Sequence, residues 1–175
     1  MPDEPILRAA TIADAGALAE FGARAFAEHF GHSTTPADLA AYLAATYGEP
    51  IQARELASPA VRVFLAEPPG GGAVAGYAML RDGSAPAVVA RPGLIELARL
   101  YVASGRIGRG LGARLLAHAL EDARARGYGA VWLSVWEHNV RARAFYARHD
   151  FRDAGAHTFM IGADPQSDRV LLRAL

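Results

Sequence analysis

The chain contains no cysteine and no lysine. Without a thiol it can form no disulfide, no thiolate zinc site and no acyl-cysteine intermediate. Without lysine it has no Schiff-base amine, no lysine general base and no lysine ligand for a phosphate loop. All 18 basic residues are arginine, and they balance 18 acidic ones to a formal net charge of zero, so nucleic acid is not an expected partner. No apolar run reaches the roughly 18–20 residues of a membrane span, so no membrane partner is expected either. The opening Met1-Pro2-Asp3-Glu4 lacks the basic and then apolar stretch of an export signal, and the cytoplasm is the expected location. What remains is ordinary globular usage: 175 residues, 52% hydrophobic and 21% charged, the size of a single domain over residues 1–175. Such a chain buries about 70% of the surface its unfolded form exposes.

Apolar periodicity orders the elements. Residues 6–10 read as a short strand. Thr11 is an expected N-cap, with Asp14 three residues on, and Leu18, Phe21, Ala25 and Phe26 mark one face of a helix running to Gly31. Thr35-Pro36 opens a second helix with Leu39, Tyr42, Leu43 and Tyr47, and residues 50–58 read as a third. These helices carry no catalytic pattern and read as a cover. Two strand runs, 61–67 and 74–82, flank Pro68-Pro69-Gly70-Gly71-Gly72, a hairpin signal. A third run, 94–103, leads through a glycine-rich turn into a helix over about 108–126, with Leu111, Leu115, Leu116 and Leu120 on one face and Gly127 at its end. A strand over 131–136, a short helix over 140–148 and two strands around 159–161 and 170–172 follow. The order predicts an α/β (α+β) domain, one mixed sheet with helices on its faces.

The segment Ser104-Gly105-Arg106-Ile107-Gly108-Arg109-Gly110-Leu111-Gly112-Ala113 lies between a strand and an amphipathic helix. Glycines at alternate positions let the backbone turn tightly and present its N–H groups without side chains in the way. They precede a helix whose first N–H groups lack internal partners and whose dipole is positive there, which makes a phosphate cradle. Arg106, Arg109 and Arg114 add positive charge, and a ligand-free turn is the alternative. Gly108, Gly110 and Ala113 also fit the dinucleotide pattern G-x-G-x-x-A, with Glu137 where a ribose-binding acid would be sought. That pattern wants its strand to enter the first glycine directly, then further βα units; Gly108 comes five positions after Ala103, and only two helical segments remain.

Leu100-Tyr101-Val102, then Gly108-Arg109-Gly110-Leu111-Gly112-Ala113, then Asn139 followed seven residues on by Tyr146, together resemble the GNAT superfamily of acetyl-CoA-dependent N-acetyltransferases. The resemblance covers nearly the whole chain, since the order of elements is also that of the family. It departs at Ile107, where the family's signature has Gln or Arg. A narrower likeness, carried by residues 26–32, Ala41-Tyr42-Leu43, residues 132–137, residues 155–159 and Asp168, is to bacterial spermidine/spermine acetyltransferases of the PaiA kind.

The resemblance implies a mixed, mostly antiparallel seven-stranded sheet, acetyl-CoA as cosubstrate and a small-molecule amine as acceptor, polyamines first; the sequence leaves the oligomeric state open, a homodimer being one option. Backbone groups of Gly108, Arg109, Gly110, Leu111, Gly112 and Ala113 are expected to hold the pyrophosphate. Leu100, Tyr101 and Val102 are expected to pair with the pantetheine arm in a gap between strands that splay near Tyr101 and Ser134. Asn139 is expected to touch that arm, its plainer role being an N-cap. Tyr146, two helical turns on and on the same face, takes the place of the family's general acid for the thiolate. Glu96 takes the place of its general base. Ile95 and Leu97 beside it suggest a buried carboxyl with a raised pKa, and a solvent-facing strand residue or a partner of Arg99 or Arg81 is the alternative. His29 and His32 lack a third ligand, so no metal is expected. Glu28, His32 and Tyr42 are expected to border the acceptor, because a polyamine needs carboxylates and aromatic faces. Acceptors among peptide N-termini, amino acids or antibiotics, and a coenzyme A-binding module without turnover, remain open.

Overall fold

The computed structural model describes residues 4–175, so Met1-Pro2-Asp3, read above for an export signal, lies outside the described residues. Strand β1 (Ile6–Ala9) leads to helices α1 (Ala15–Phe30), α2 (Pro36–Thr46) and α3 (Glu49–Ala57). Strands β2 (Val61–Glu67), β3 (Gly76–Arg81) and β4 (Leu94–Val102) precede helix α4 (Leu111–Ala125). Strand β5 (Ala130–Trp136), helix α5 (Val140–Ala147) and the hairpin of β6 (Arg152–Ile161) and β7 (Asp164–Ala174) complete the chain. The seven strands form one sheet in the order β1-β2-β3-β4-β5-β7-β6. Every neighbouring pair is antiparallel except β4 and β5. This is the mixed, mostly antiparallel sheet that was expected.

Both faces are covered, and strand alternation shows how. Val63, Leu65, Tyr77 and Met79 pack against Leu18, Phe21 and Ala25 of α1. Their neighbours Phe64, Ala66, Ala78 and Leu80 pack on the other face against the α4 stripe of Leu111, Leu115, Leu116, Ala119, Leu120 and Ala123. Central strands covered on both sides therefore read as continuous apolar runs, which is why β2 and β3 were legible. Each fully buried leucine, such as Leu115 or Leu116, contributes about 1.5–3 kcal/mol.

The start of α1 is tied down by charge. Asp14 accepts from the Thr11 backbone N–H at 2.7 Å and from two Arg8 nitrogens at 2.8 and 2.9 Å, and Arg8 also reaches Glu67 at 2.8 Å. The cap at Thr11 thus serves a short 3-10 turn, Ile12–Asp14, from which α1 continues. Further along α1, a Cβ at Gly22 would lie 2.6 Å from the Tyr47 ring, so glycine lets the end of α2 close onto α1.

The last hairpin departs from expectation. Its strands run ten and eleven residues, against the short apolar stretches read from the sequence. The sheet ends at β6, where Gly155, His157, Phe159 and Ile161 turn inward and alternate with exposed residues. Asp164-Pro165-Gln166-Ser167-Asp168 looks like a loop by composition, yet it is strand, because pairing with β6 outweighs local preference.

Candidate active site

The sheet is split. Strands β4 and β5 pair over only three positions, Leu94 with Ala130, Ile95 with Val131 and Glu96 with Trp132. Beyond Glu96, β4 continues to Val102 hydrogen-bonded to β3 alone, and β5 continues to Trp136 hydrogen-bonded to β7 alone. A register shift against β3 leaves Ala98 without an opposite residue, a bulge that bends β4 at the start of the split. The expected splay near Tyr101 and Ser134 is therefore present, and the edge of β4 from Leu97 to Val102 faces a gap rather than a strand.

Two cavities open into that gap. The smaller, about 390 Å³, is lined by Gly108, Gly110, Gly112, Ala113, Arg106 and Arg141, among others. The larger, about 800 Å³, is walled by aromatic residues of α1, α2, β5 and β6 and reaches Glu96, Arg81, Arg99 and Asp168. Leu100, Tyr101, Ala142, Tyr146 and His29 line both, so β4, α5 and α1 form the junction.

One wall of the smaller cavity is the glycine-rich turn. Gly108 and Gly110 have φ of 79° and 84°, which keeps residues 108–110 out of the helix and starts α4 at Leu111 rather than near 108. The first bond of the helical ladder here runs from Arg114 N–H to Gly110 C=O at 3.1 Å, so the N–H groups of Leu111, Gly112 and Ala113 precede it. No atom lies within 4 Å of where a Cβ would stand on Gly108 or Gly110. Open space, a row of leading amides and nearby arginines suit a diphosphate. The free edge of β4 suits an extended amide-bearing arm. The donor set therefore fits coenzyme A. The side chains of Arg109 and Leu111 take no part in the lining, for Arg109 is exposed and Leu111 is core, and Ile107 lines the cavity as an apolar wall.

At the junction, Tyr146 projects from α5. Burial, with Tyr101 nearby, pushes its hydroxyl well above the usual tyrosine range, so it stays protonated and able to donate. Tyr101 is likewise raised by burial, and its hydroxyl lies 3.3 Å from that of Tyr47. Asn139 caps α5, its side-chain oxygen accepting from Ala142 N–H at 3.1 Å, and it also lines the larger cavity.

Glu96 lies on the wall of the larger cavity, directly opposite Trp132 in register, with its side chain 17% exposed. Ile95 and Leu97 point to the α4 face, and Glu96 on the other face accepts from Arg81 at 2.8–2.9 Å. Arg99, the other partner considered, instead grips Glu55 at 2.7 and 3.0 Å beneath the ring of Tyr47. Tyr42 stacks on Phe26, with ring centroids 4.4 Å apart, and lines the larger cavity as expected. Glu28 and His32 line neither cavity. Glu28 is on the exposed face of α1, and His32 lies beyond its end, edge-on to Trp136. His29 faces the junction in their place. Among the described residues no three His, Asp or Glu side chains converge as a metal site.

Three features of the larger cavity involve residues that the sequence offered only as part of a likeness or of the strand splay, with no role in binding. Ser134 and His157 join across β5 and β6 at 2.6 Å. Trp132, Ser134 and Trp136 alternate along one face of β5, a period-2 signal that marks them as facing together. Asp168 on β7 stands directly opposite Trp136 and His157 in register, is buried at 6% exposure and lines the cavity.

Comparison with known proteins accords with this geometry. Residues 23–151 match the Acetyltransferase (GNAT) family. An uncharacterised N-acetyltransferase of Lactobacillus delbrueckii subsp. lactis is 35% identical over 150 residues, 86% of either chain. One from Mycobacterium tuberculosis is 33% identical over 162 residues, covering 93% of this chain and 98% of that one. The crystal structure of a PaiA N-acetyltransferase from Thermoplasma acidophilum in complex with coenzyme A superposes with a TM-score of 0.79 over 98% of this chain and 99% of its own. At 15% identity that likeness is one of fold.

Proposed function

Because the chain belongs to the acetyltransferase (GNAT) family and is an acetyl-CoA-dependent N-acetyltransferase, we propose that its acceptor is a primary amine of a small molecule, with polyamines first among candidates, and that the acetyl group passes directly in a ternary complex. The observation that carries this proposal is the parting of β4 from β5, with a cavity bordered by the glycine-rich turn on one side and an aromatic-walled cavity on the other. Two ligands entering from the two sides meet at Tyr101 and Tyr146, so no acyl-enzyme stage is needed, and the chain has no cysteine to carry one.

When bound, acetyl-CoA supplies the thioester carbonyl that the amine attacks. The N–H groups of the turn from Gly108 to Ala113 hold its pyrophosphate, and the main chain of Leu100, Tyr101 and Val102 pairs with the pantetheine arm. Asn139 borders that arm while capping α5. Glu96 accepts the proton of the acceptor ammonium, directly or through water, and Arg81 orients the carboxylate. Tyr146 donates a hydrogen bond or a proton to the sulfur as the carbon–sulfur bond breaks. The aromatic lining of the larger cavity, Phe26, Tyr42 and Phe159 among it, supports an acceptor that offers an amine on an apolar or cationic body.

The test is free coenzyme A release from acetyl-CoA across a panel of polyamines, amino acids, aminoglycosides and N-terminal peptides, with mass spectrometry of the products. The expected result is amine-dependent release in step with N-acetylated polyamine. Release that favours peptides would replace the acceptor class, and coenzyme A binding with no release for any amine would favour a module without turnover.

A further inference from the structure

Among the described residues, one carboxyl group of the larger cavity has no ion-pair partner. Arg81 is paired with Glu96 and Arg99 with Glu55. Burial and Arg141 lower the pKa of His29, which keeps its imidazole neutral. His157 is engaged by Ser134 at 2.6 Å. Asp168 remains. It is 94% buried by the 6% exposure of its surface, it faces the cavity, and its Oδ1 has no hydrogen-bond partner among the described residues. A buried carboxylate oxygen without a partner costs stability, and folded chains rarely keep one without a use.

The surroundings say which ligand would satisfy it. Trp136 and His157 flank Asp168 across β5 and β6, and Phe159 lies two residues beyond His157 on the same face. Phe30 meets Trp136 edge-on, with centroids 5.9 Å apart. An anionic oxygen within an aromatic wall suits an organic cation, which gains the ion pair and the ring faces together. Asp168 lines the same cavity as Tyr101, which stands at the junction with the smaller one.

Resting on the amine-acceptor function proposed above, we propose that Asp168 is the binding site for an alkylammonium group of the acceptor. Glu96 is held by Arg81 for proton transfer; Asp168 is left open for the cation itself. The charged and titratable groups facing it are Glu137 at the end of β5, His157 on β6 and Tyr101 on β4, while Arg169 beside it in sequence is turned away to Asp153, 2.9 Å distant. Burial, with Glu137 adding to it, raises the Asp168 carboxyl to about 7. A cation seated against it therefore lowers that midpoint.

Two measurements test the proposal. In the first, Asp168→Asn is assayed with n-butylamine and butane-1,4-diamine. The expected result is a fall in kcat/KM of about 30-fold or more, carried by KM, with coenzyme A affinity unchanged. A loss on both amines identifies the reacting ammonium as the one held, and a loss on the diamine alone identifies the second ammonium. The variant should also melt higher than wild type at pH 8, since the amide removes a buried unpaired charge; a carboxylate kept for structure would give a lower melt. In the second, the Asp168 carboxyl of the wild-type protein is titrated by carbon-13 NMR with and without n-butylammonium, which needs neither turnover nor a folded variant. The midpoint should fall when the cation is present. Values of kcat/KM within threefold of wild type, or a midpoint that n-butylammonium does not move, overturn the ammonium site. A chain that moves this midpoint yet acetylates no amine overturns instead the transfer function on which the site rests.

Discussion

The two cavities that meet at Tyr101 and Tyr146 are built from different materials. The smaller offers main chain along one wall, with two glycines at positive φ, the leading amides of α4 and the free edge of β4, and side chains such as Ile107, Phe145 and Arg141 on the others. The larger is a feature of side chains, with aromatic walls, two closed ion pairs and one open carboxylate. Main-chain recognition is indifferent to side-chain identity as long as glycine keeps the path clear, so it suits a cosubstrate common to many enzymes. Side-chain recognition changes with each substitution and suits a ligand particular to one.

The sharpest way to break this contrast is at Gly110. A valine there must adopt φ near +84°, which a β-branched residue resists, and its side chain would fill the open space before the turn. Losing the charge-assisted bonds of two or more amides, each worth roughly 1.5–3 kcal/mol, predicts a drop in coenzyme A affinity of about a thousandfold. Coenzyme A should then no longer raise the Tm, although it does so in the wild type. An undiminished thermal shift would move the cosubstrate away from this turn.

At the junction the effect should fall on rate and not on affinity. Tyr146→Phe removes one hydroxyl and almost no volume. General acids contribute about 10²–10⁴-fold, and a hydroxyl held this far above neutrality is a weak acid, so about a hundredfold loss in kcat is expected with Kd for coenzyme A intact. If affinity falls in proportion to rate, the hydroxyl is a binding contact.

Glu96→Gln should do less. Arg81 keeps a neighbour to bond, the amide holds the shape, and only proton acceptance is lost. A fall of about tenfold in kcat near neutral pH is expected. It should narrow as pH rises and free amine becomes plentiful. A rate profile parallel to wild type at every pH would make Glu96 a strut for Arg81.

The contrast between cavities also explains what the sequence disclosed. The glycine-rich turn lies within residues 104–114, so one local pattern contains it, and the turn and the helix start at Leu111 need no appeal to distant contacts. The larger cavity gathers residues from strands and helices far apart in sequence, so nearness in sequence is a poor guide to which side chains line it. Glu28 and His32 stand close to Tyr42 along the chain, yet the turn of α1 aims Phe26, His29 and Phe30 at the cavity instead. Ile95 and Leu97 face the opposite side from Glu96, whose cover comes instead from Trp132 across the strand pair and from its ion pair with Arg81. Asp168 sat in a polar stretch that looks like loop until β6 pairs with it. Its partners became visible only once the sheet was assembled.

The most direct test of this division is a calorimetric titration of coenzyme A into wild type, Gly110→Val and Asp168→Asn under one set of conditions. Binding heat should vanish for Gly110→Val and match wild type for Asp168→Asn, whose defect is confined to the amine. Equal affinities in all three proteins, or a parallel loss in both variants, would contradict a cosubstrate read by main chain in one cavity and an acceptor read by side chains in the other.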